Sequence, residues 1–133
     1  MHRIRLHGPW DVIGPGESTS QSRKMPQEWR TLFGSAAGQA RFGRWFHCPT
    51  NLDPDERVWL VFAGIGGAGK ITLNGEQLKE ISGNTPAVAA DLTNHLQPRN
   101  RVEVELAFDP AATAQQGGLF GEVALEIKSV RGG

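Results

Sequence analysis

Cysteine is almost absent from this chain, since Cys48 is the only one among 133 residues. A single thiol excludes an intrachain disulfide and a zinc site built from several thiolates. Cys48 also follows His47 directly, and neighbouring side chains of a strand point to opposite faces, so the two cannot act as nucleophile and base. The histidines are scattered without the spacing of metal ligands. We predict that Cys48 fills space in the core, and we expect no cofactor and no metal.

An excess of charge of either sign is also missing. Lys and Arg together number 14, and Asp and Glu together number 14. Without a basic surface field there is little to attract a phosphate backbone. We therefore expect no nucleic-acid partner.

Long apolar runs are absent as well. No segment approaches the roughly 20 apolar residues that a membrane span requires. Residues 1–6 alternate polar and apolar side chains and lack the apolar stretch of an export signal. We expect no membrane partner and, by default, a cytoplasmic location, whether the chain stands alone or is one domain of a longer protein.

Helix signals are scarce, whereas short alternating segments bounded by Gly, Pro, Asn and Asp recur along the whole chain. In residues 101–108 one face carries Val102, Val104, Leu106 and Phe108, and the other carries Glu103, Glu105 and Ala107. Residues 122–130 repeat the alternation, with Val123 inward and Ala124 outward. This pattern predicts a single all-β domain over residues 1–133, an antiparallel β-sandwich of about eight strands. The predicted strands are residues 3–7, 41–48, 58–63, 70–73, 76–81, 87–91, 101–108 and 122–130.

Three segments between or within these strands have distinctive features. Residues 58–63 are apolar on both faces, which predicts a central strand whose outer side is covered by another segment. Asn74-Gly75 tolerates the two positive φ angles of a tight hairpin turn. Residues 14–40 are rich in Ser, Gly and Gln, and predict a long loop with one helical turn that starts near Pro26.

From Arg44 onward the chain contains a series of separated short motifs. They are Arg44-Trp45-Phe46-His47-Cys48-Pro49, residues 58–64, Leu73-Asn74-Gly75, Thr85-Pro86, Asp91-Leu92-Thr93 with Leu96, Asn100-Arg101-Val102 with Val104, and Gly117-Gly118-Leu119-Phe120 ahead of Val123 and Leu125. In this order the motifs resemble the sugar-binding domain of family 2 glycoside hydrolases, the β-galactosidases, β-glucuronidases and β-mannosidases. This resemblance implies a galactose-binding-like jelly roll. It implies the sandwich without the hydrolase, because the catalytic carboxylates of those enzymes belong to a separate barrel domain.

Several patterns imitate catalytic or ligand sites. Residues 64–71 satisfy two phosphate-loop patterns, but Ile71 replaces the Ser or Thr that ligates Mg²⁺, and the glycines lead into a strand and not a helix. Glu103 and Glu105 share a strand face at a spacing that suits an inverting glycosidase, yet alternation places them outward. Residues 51–56 carry carboxylates without the spacing of a calcium loop. Each of these predicts a structural role.

Arg44 is unusual because alternation places it on the same face as Phe42 and Phe46. If that face is inward, the guanidinium needs a partner. We predict pairing with an Asp or Glu of a neighbouring strand, with a ligand role as the alternative.

Strand parity divides the loops between the two ends of the sandwich. One end, the hairpin end, collects residues 51–57, Asn74-Gly75 and residues 94–100. The other, the loop end, collects the segment that ends at Gln39 together with residues 64–69, 82–86 and 109–121. A sugar packs its apolar ring face on an aromatic side chain and its hydroxyls on donors and acceptors. The tentative ligand-binding residues, all assigned to the loop end, are Trp29, Arg41, Asn84, Gln115 and Gln116.

Trp29 has a second interpretation, in which it caps the core and the glutamines are merely solvated. The function that the sequence favours is a non-catalytic carbohydrate-binding or accessory module. The alternative is a protein-interaction scaffold with no sugar ligand. The expected partners are therefore a carbohydrate, an associated glycoside hydrolase or a second copy of the chain.

Overall fold

The computed structural model describes residues 1–85 and 87–130, and of Asn84 and Thr85 it describes only the backbone. Pro86, part of one resemblance motif, lies outside the described residues. Within the described part, no helix is both long enough and apolar enough to cross a membrane. The elements in chain order are β1 (His2–Arg5), β2 (Trp10–Ile13), β3 (Gln21–Arg23), α1 (Trp29–Phe33), β4 (Gly38–His47), β5 (Glu56–Phe62), β6 (Ile65–Gly66), β7 (Ala68–Leu73), β8 (Glu76–Ile81), β9 (Asn84–Thr85), β10 (Val88–Asp91), a short 3-10 helix (Thr93–His95), β11 (Arg99–Phe108) and β12 (Val123–Ser129).

Two antiparallel sheets form a sandwich. The first has the strand order β1-β12-β5-β10 and the second the order β3-β2-β4-β11-β7-β8, while β6 and β9 form a separate two-stranded ribbon. Large apolar side chains from both sheets, among them Trp10, Phe42 and Phe62, are fully buried. The predicted antiparallel β-sandwich is therefore confirmed. Its jelly-roll connectivity stays a prediction.

The described residues contain twelve strands, ten of them in the two sheets, and the four that the sequence did not predict are β2, β3, β6 and β9. Strand β3 is short and exposed along its whole length, and β6 and β9 have two residues each, so none of the three has a periodic pattern to detect. Strand β3 and the start of β4 also shorten the predicted loop over residues 14–40. The helical turn expected near Pro26 is α1, which begins at Trp29 after the N-cap Glu28.

Two strand faces differ from the prediction in how exposed they are. Ala124 lies on the outer face as predicted, because it is paired with Val61 and Arg5, but its small side chain is fully buried. Strand β5 is central in its sheet as predicted. However, Trp59 and Val61 on its outer face are only half-buried, so that face is not fully covered.

The Asn74-Gly75 hairpin has the positive φ angles that the sequence predicts, 53° at Asn74 and 84° at Gly75. The Asn74 side chain also ties the turn to the sheet: its amide donates to Asn100 Oδ1 at 3.1 Å, and its Oδ1 accepts from Arg101 N–H at 2.8 Å. Two motifs of the family resemblance, Asn-Gly and Asn-Arg-Val, are thus one hydrogen-bonded unit.

Gly75→Val is expected to destabilise the protein by about 1–3 kcal/mol, because it forces a β-branched residue to positive φ. No atom lies within 4 Å of the Cβ that a side chain would add at Gly75, so the cost is conformational and not steric. Gly75→Asn is the control. Asn tolerates this conformation, so this variant should lose much less stability. Urea unfolding of both variants measures the difference, and equal losses would show that backbone strain is not the cause.

The Asp91-Leu92-Thr93 motif is also structural. Asp91 Oδ1 accepts hydrogen bonds from Thr93 Oγ1 at 2.7 Å and Thr93 N–H at 2.9 Å, and its Oδ2 meets Arg57 Nε at 2.9 Å. Thr93 Oγ1 in turn accepts from Val58 N–H. Burial alone would raise the pKa of Asp91, but the Thr93 hydrogen bonds and the Arg57 charge outweigh it and hold this pKa below its ordinary value.

A lowered carboxyl pKa stabilises the folded state above the pKa of the unfolded chain, and this stability is lost as pH falls through the folded pKa. Asp91→Asn is therefore expected to cost about 1–2 kcal/mol at pH 7. The difference in the free energy of unfolding between Asp91→Asn and the parent should shrink below about pH 4, where carboxylates of the unfolded chain are protonated. Unfolding measured from pH 7 to pH 2 tests this, with exposed Asp53→Asn as control. A difference that does not change with pH would contradict the ionic origin.

Arg44 does lie on the inner face with Phe42 and Phe46, but the predicted carboxylate partner is not found among the described residues. Its Nη1 donates to the Pro9 carbonyl at 3.5 Å, while its buried Nε has no partner. Burial lowers the pKa of Arg44 from its ordinary value. The side chain lies at the margin of the core, where its outer part still reaches water, and so it remains charged without a salt bridge.

Candidate functional site

The loops meet at the two ends of the sandwich as strand parity predicts. At the loop end, Gly66 and Gly118 exchange two backbone hydrogen bonds, and Trp29 N–H donates to the Gly117 carbonyl at 2.9 Å. At the hairpin end, the Cys48 N–H donates to the Pro98 carbonyl. The helix α1, the glycine-rich stretch and residues 109–121 therefore form one connected surface.

The glycine-rich stretch is strand and not phosphate loop. It contains β6 and the start of β7, and β7 pairs with β11 and is followed by the hairpin. A side chain at Gly66 or Gly69 would overlap the backbone carbonyl of Gln116 or Glu105, so these glycines allow close chain approach. Lys70 would face phosphate in a true phosphate loop, but here its Nζ lies 3.6 Å from Glu105 Oε2. The strand context that the sequence predicts for this motif is confirmed.

Trp29 cannot serve as the stacking platform that was predicted, because its side chain is fully buried. Its indole N–H donates to the Ala36 carbonyl at 2.8 Å, and its ring meets Phe33 edge-on at 4.9 Å between centroids and Phe108 at 5.3 Å. The second interpretation, that Trp29 caps the core, is the one the structure supports. Its role at the loop end is to hold the loops together.

Arg30 organises the loop over residues 110–117. Its Nη1 donates to the Gln115 carbonyl at 2.9 Å, and its Nη2 donates to the carbonyls of Pro110 and Thr113 at 2.9 and 2.6 Å. Glu28 pairs with the same guanidinium at 2.8 Å and accepts from Gly117 N–H. One residue pair on α1 therefore fixes the shape of a loop that is distant in sequence.

A shallow depression of about 280 Å³ lies beside this loop. Most of the residues that line it are small or apolar, and its polar side chains come from Asp109, Thr113 and Gln115. A second depression of about 420 Å³ adjoins it across Phe108. Glycoside hydrolysis by the usual mechanism needs two carboxyl groups about 5–9 Å apart. The residues lining these two depressions provide one carboxylate, Asp109, and so lack the pair that this mechanism requires.

The other predicted site residues are dispersed. Gln115 lines the first depression, and Gln116 follows it with an exposed side chain. The backbone of Asn84 pairs with Gly66 at the same end, while its side chain lies outside the description. Arg41 lies on the outer face of the larger sheet, paired with Glu105 at 2.8 Å, and lines a different depression. The structure therefore places one predicted residue, Gln115, in the wall of the candidate site.

Sequence reasoning missed Phe108 and Arg30. Phe108 was assigned to the core face of β11, yet it is half-buried and separates the two depressions, with the Arg30 guanidinium 5.5 Å from its ring centroid. Its position as the last apolar residue of an alternating strand was the available signal. Nothing in the sequence indicates that Arg30 reaches residues more than 80 positions away.

The carboxylates that imitate a catalytic pair are engaged in surface ion pairs. Glu105 binds Arg41 and Lys70, and Glu103 lies 3.8 Å from Arg101, all on the outer sheet face. Across the described residues, no group of three or more His, Cys, Asp or Glu side chains is arranged to hold a metal ion. The outward orientation predicted for both glutamates is confirmed.

Comparison with known proteins supports the fold and leaves the sequence family open. No family model matches the chain, and no curated protein sequence matches it. An FMN-binding β-glucuronidase from Facaelibacterium prausnitzii is similar in structure, with a TM-score of 0.79 and 20% identity over 95% of this chain and 22% of its own. A β-glycosidase from Bacteroides vulgatus has a TM-score of 0.82 and 17% identity over 97% and 20%. A Ruminococcus gnavus β-glucuronidase in complex with D-glucuronic acid has a TM-score of 0.77 and 17% identity over 96% and 29%.

These neighbours define the class of the fold. The chain is a β-sandwich domain of the kind that glycoside hydrolases carry, as the motif resemblance predicts. It spans about a fifth to three tenths of the length of these enzymes, according to the same comparisons.

Proposed function

We propose that this domain is a non-catalytic carbohydrate-binding or accessory module of the family 2 glycoside hydrolase type. The observation that carries the proposal is the coverage: almost all of this chain matches only 20–29% of each glycosidase. A match of that extent corresponds to one domain of a larger enzyme. The loop-end depressions, with one lining carboxylate, support binding in preference to hydrolysis.

The proposed ligand contacts are the polar groups of Asp109, Thr113 and Gln115. Gln116, which follows Gln115, and Asn84, which follows the lining residue Gly83, are proposed as further contacts. Phe108 takes the place of Trp29 as the aromatic surface, because its ring is partly accessible and borders both depressions. A sugar needs this combination of an apolar wall with both donors and acceptors.

A backbone NMR titration with D-galactose, D-glucuronate and D-mannose tests the proposal. We expect at least one sugar to shift residues 107–115, and Gln115→Ala to weaken that response. The matched control is Gln21→Ala, because Gln21 is an exposed glutamine on the edge strand β3. No shift at high millimolar sugar, or shifts confined to the hairpin end, would contradict binding at the loop end.

A scaffold role without a sugar ligand is the second candidate, and one observation favours it. Trp59 and Val61 lie half-buried at the centre of the outer face of the smaller sheet. Arg3, Glu126 and Lys128 surround them with charges of both signs, so the face could pair with its own copy about a twofold axis. Sedimentation velocity should then show a concentration-dependent dimer that Trp59→Ser dissolves, and a monomer at all concentrations would exclude this self-association.

A further inference from the structure

A second candidate binding surface lies on the outer face of the larger sheet, where β4 and β11 approach the hairpin end. Trp45 lies opposite Arg101 in the register of the two strands, and His47 lies opposite Arg99. Paired residues of adjacent strands share a sheet face. We call these four residues the Trp45 patch.

Trp45 is the one large aromatic side chain that is clearly exposed among the described residues, with 48% of its surface accessible. It belongs to the alternating half of β4 that faces water, so it contributes no packing to the core. An amphipathic ring of this size on an open sheet face is a typical anchor for a ligand with one apolar side.

Arg101 is held in position beside this ring. Its Nη1 lies 3.0 Å from Asp11 Oδ2 and its Nε 3.8 Å from Glu103 Oε2, and its guanidinium carbon is 5.4 Å from the Trp45 ring centroid. A side chain at Gly43 would overlap the guanidinium, so glycine leaves the space in which Arg101 lies. The charge of Arg101 is therefore balanced and its position is fixed.

The positive charge of Arg99 is not balanced in this way. Its guanidinium carbon stacks 4.2 Å from the Trp45 ring centroid, but within the described chain no carboxylate forms an ion pair with it. The side chain is exposed, and so is His47 across the strand pair. A stacked guanidinium with its N–H groups directed to water matches a carboxylate through two parallel hydrogen bonds.

A depression of about 630 Å³ adjoins the patch at the end of the two strands. His47 belongs to both, and Pro98, which precedes Arg99, lines the depression together with Gln97 and Thr50. A ligand longer than one ring can therefore continue from the flat patch into a concave surface that offers polar groups.

We propose that the Trp45 patch binds an acidic saccharide, a sugar chain that contains uronic acid units. The ring of one unit packs against the accessible part of Trp45, its carboxylate binds Arg99, and the neighbouring unit extends past His47 into the depression. A single unbalanced arginine on a chain without net charge is too little for a nucleic-acid backbone. The patch is separate from the loop end and does not depend on the function proposed there.

The probe is trigalacturonate, and the ligand control is its fully methyl-esterified form, in which every carboxylate is replaced by an uncharged methyl ester. In NMR titrations of the intact chain we expect the acid to shift the Trp45 indole and residues 99–101. The ester should bind about tenfold more weakly or worse, because it lacks the carboxylates. Sodium chloride should weaken binding of the acid, since the charges are exposed.

Arg99→Gln and Trp45→Ala are each expected to reduce affinity for the acid about tenfold or more. Lys24→Gln, which removes an exposed cation elsewhere, should leave it unchanged. Both patch residues are exposed, so unchanged melting temperatures will show that the variants fold. Equal binding of acid and ester, equal binding by Arg99→Gln, no binding at tens of millimolar, or equally tight binding of a triglutamate peptide would overturn the proposal. Shifts confined to the loop end would overturn it while supporting the function proposed above.

Discussion

Trp29→Ala is expected to lower the free energy of unfolding by about 3–5 kcal/mol, the range typical of a deleted core tryptophan. The substitution removes a fully buried ring together with its packing on Phe33 and Phe108. It also leaves the Ala36 carbonyl without the indole donor. Urea unfolding measures the loss. Because the ring packs α1 against Phe108 at the end of β11, we also expect NMR shifts throughout the loop end.

Trp45→Ala is the matched control for this experiment, because it makes the same chemical change at an exposed position. We expect it to cost under about 1 kcal/mol, as substitutions at the surface usually do. If the two variants lost similar stability, Trp29 would not be the buried anchor of the loop end, and its interpretation as a core residue would be wrong.

Asn100→Leu is expected to destabilise the protein by about 2–4 kcal/mol, since it leaves several polar groups without partners. Asn100 is the one polar side chain that is fully buried among the described residues. It accepts from Gln97 N–H and donates to the Gln97 carbonyl, both at 2.8 Å, and it accepts from the Asn74 amide at 3.1 Å. A leucine has the same branched shape with larger methyl groups, and it satisfies none of these groups.

Asn94→Ala, an exposed change in the same loop, is the control and should stay within about 0.5 kcal/mol of the parent. Thermal and urea unfolding of both variants measure the difference. If Asn100→Leu and Asn94→Ala gave the same small effect, the network between the hairpin and the start of β11 would not contribute to stability. In that case the Asn-Arg-Val motif would require another explanation.

The motifs that carry the family resemblance turn out to be folding signals. Asn74 and Asn100 join the hairpin to β11, and Asp91 and Thr93 close the end of β10 onto β5. These contacts are local or lie between neighbouring strands, so short segments of sequence are enough to specify them. These motifs predict the fold, and they do not indicate which ligand the domain binds.

The candidate site could be predicted only in part. Strand parity placed the loops at the correct ends, because alternation of direction follows from antiparallel pairing alone. It could not tell that Trp29 turns inward and Phe108 borders the surface, since either aromatic is compatible with its local pattern. Trp45 was quoted as part of a motif, but its stacking with Arg99 depends on the register of β4 against β11, which no local pattern encodes.

The sequence by itself determined the all-β class, the alternating core faces, the positive-φ hairpin and the strand context of the glycine stretch. Each of these follows from neighbours along the chain, whose steric and hydrogen-bonding preferences are local. The tertiary structure alone decided that Arg30 fixes the loop over residues 110–117, that Trp29 is core, and that Trp45 and Arg99 share a face. Those contacts join residues far apart in sequence, and their geometry is set by how the two sheets pack and not by any single segment.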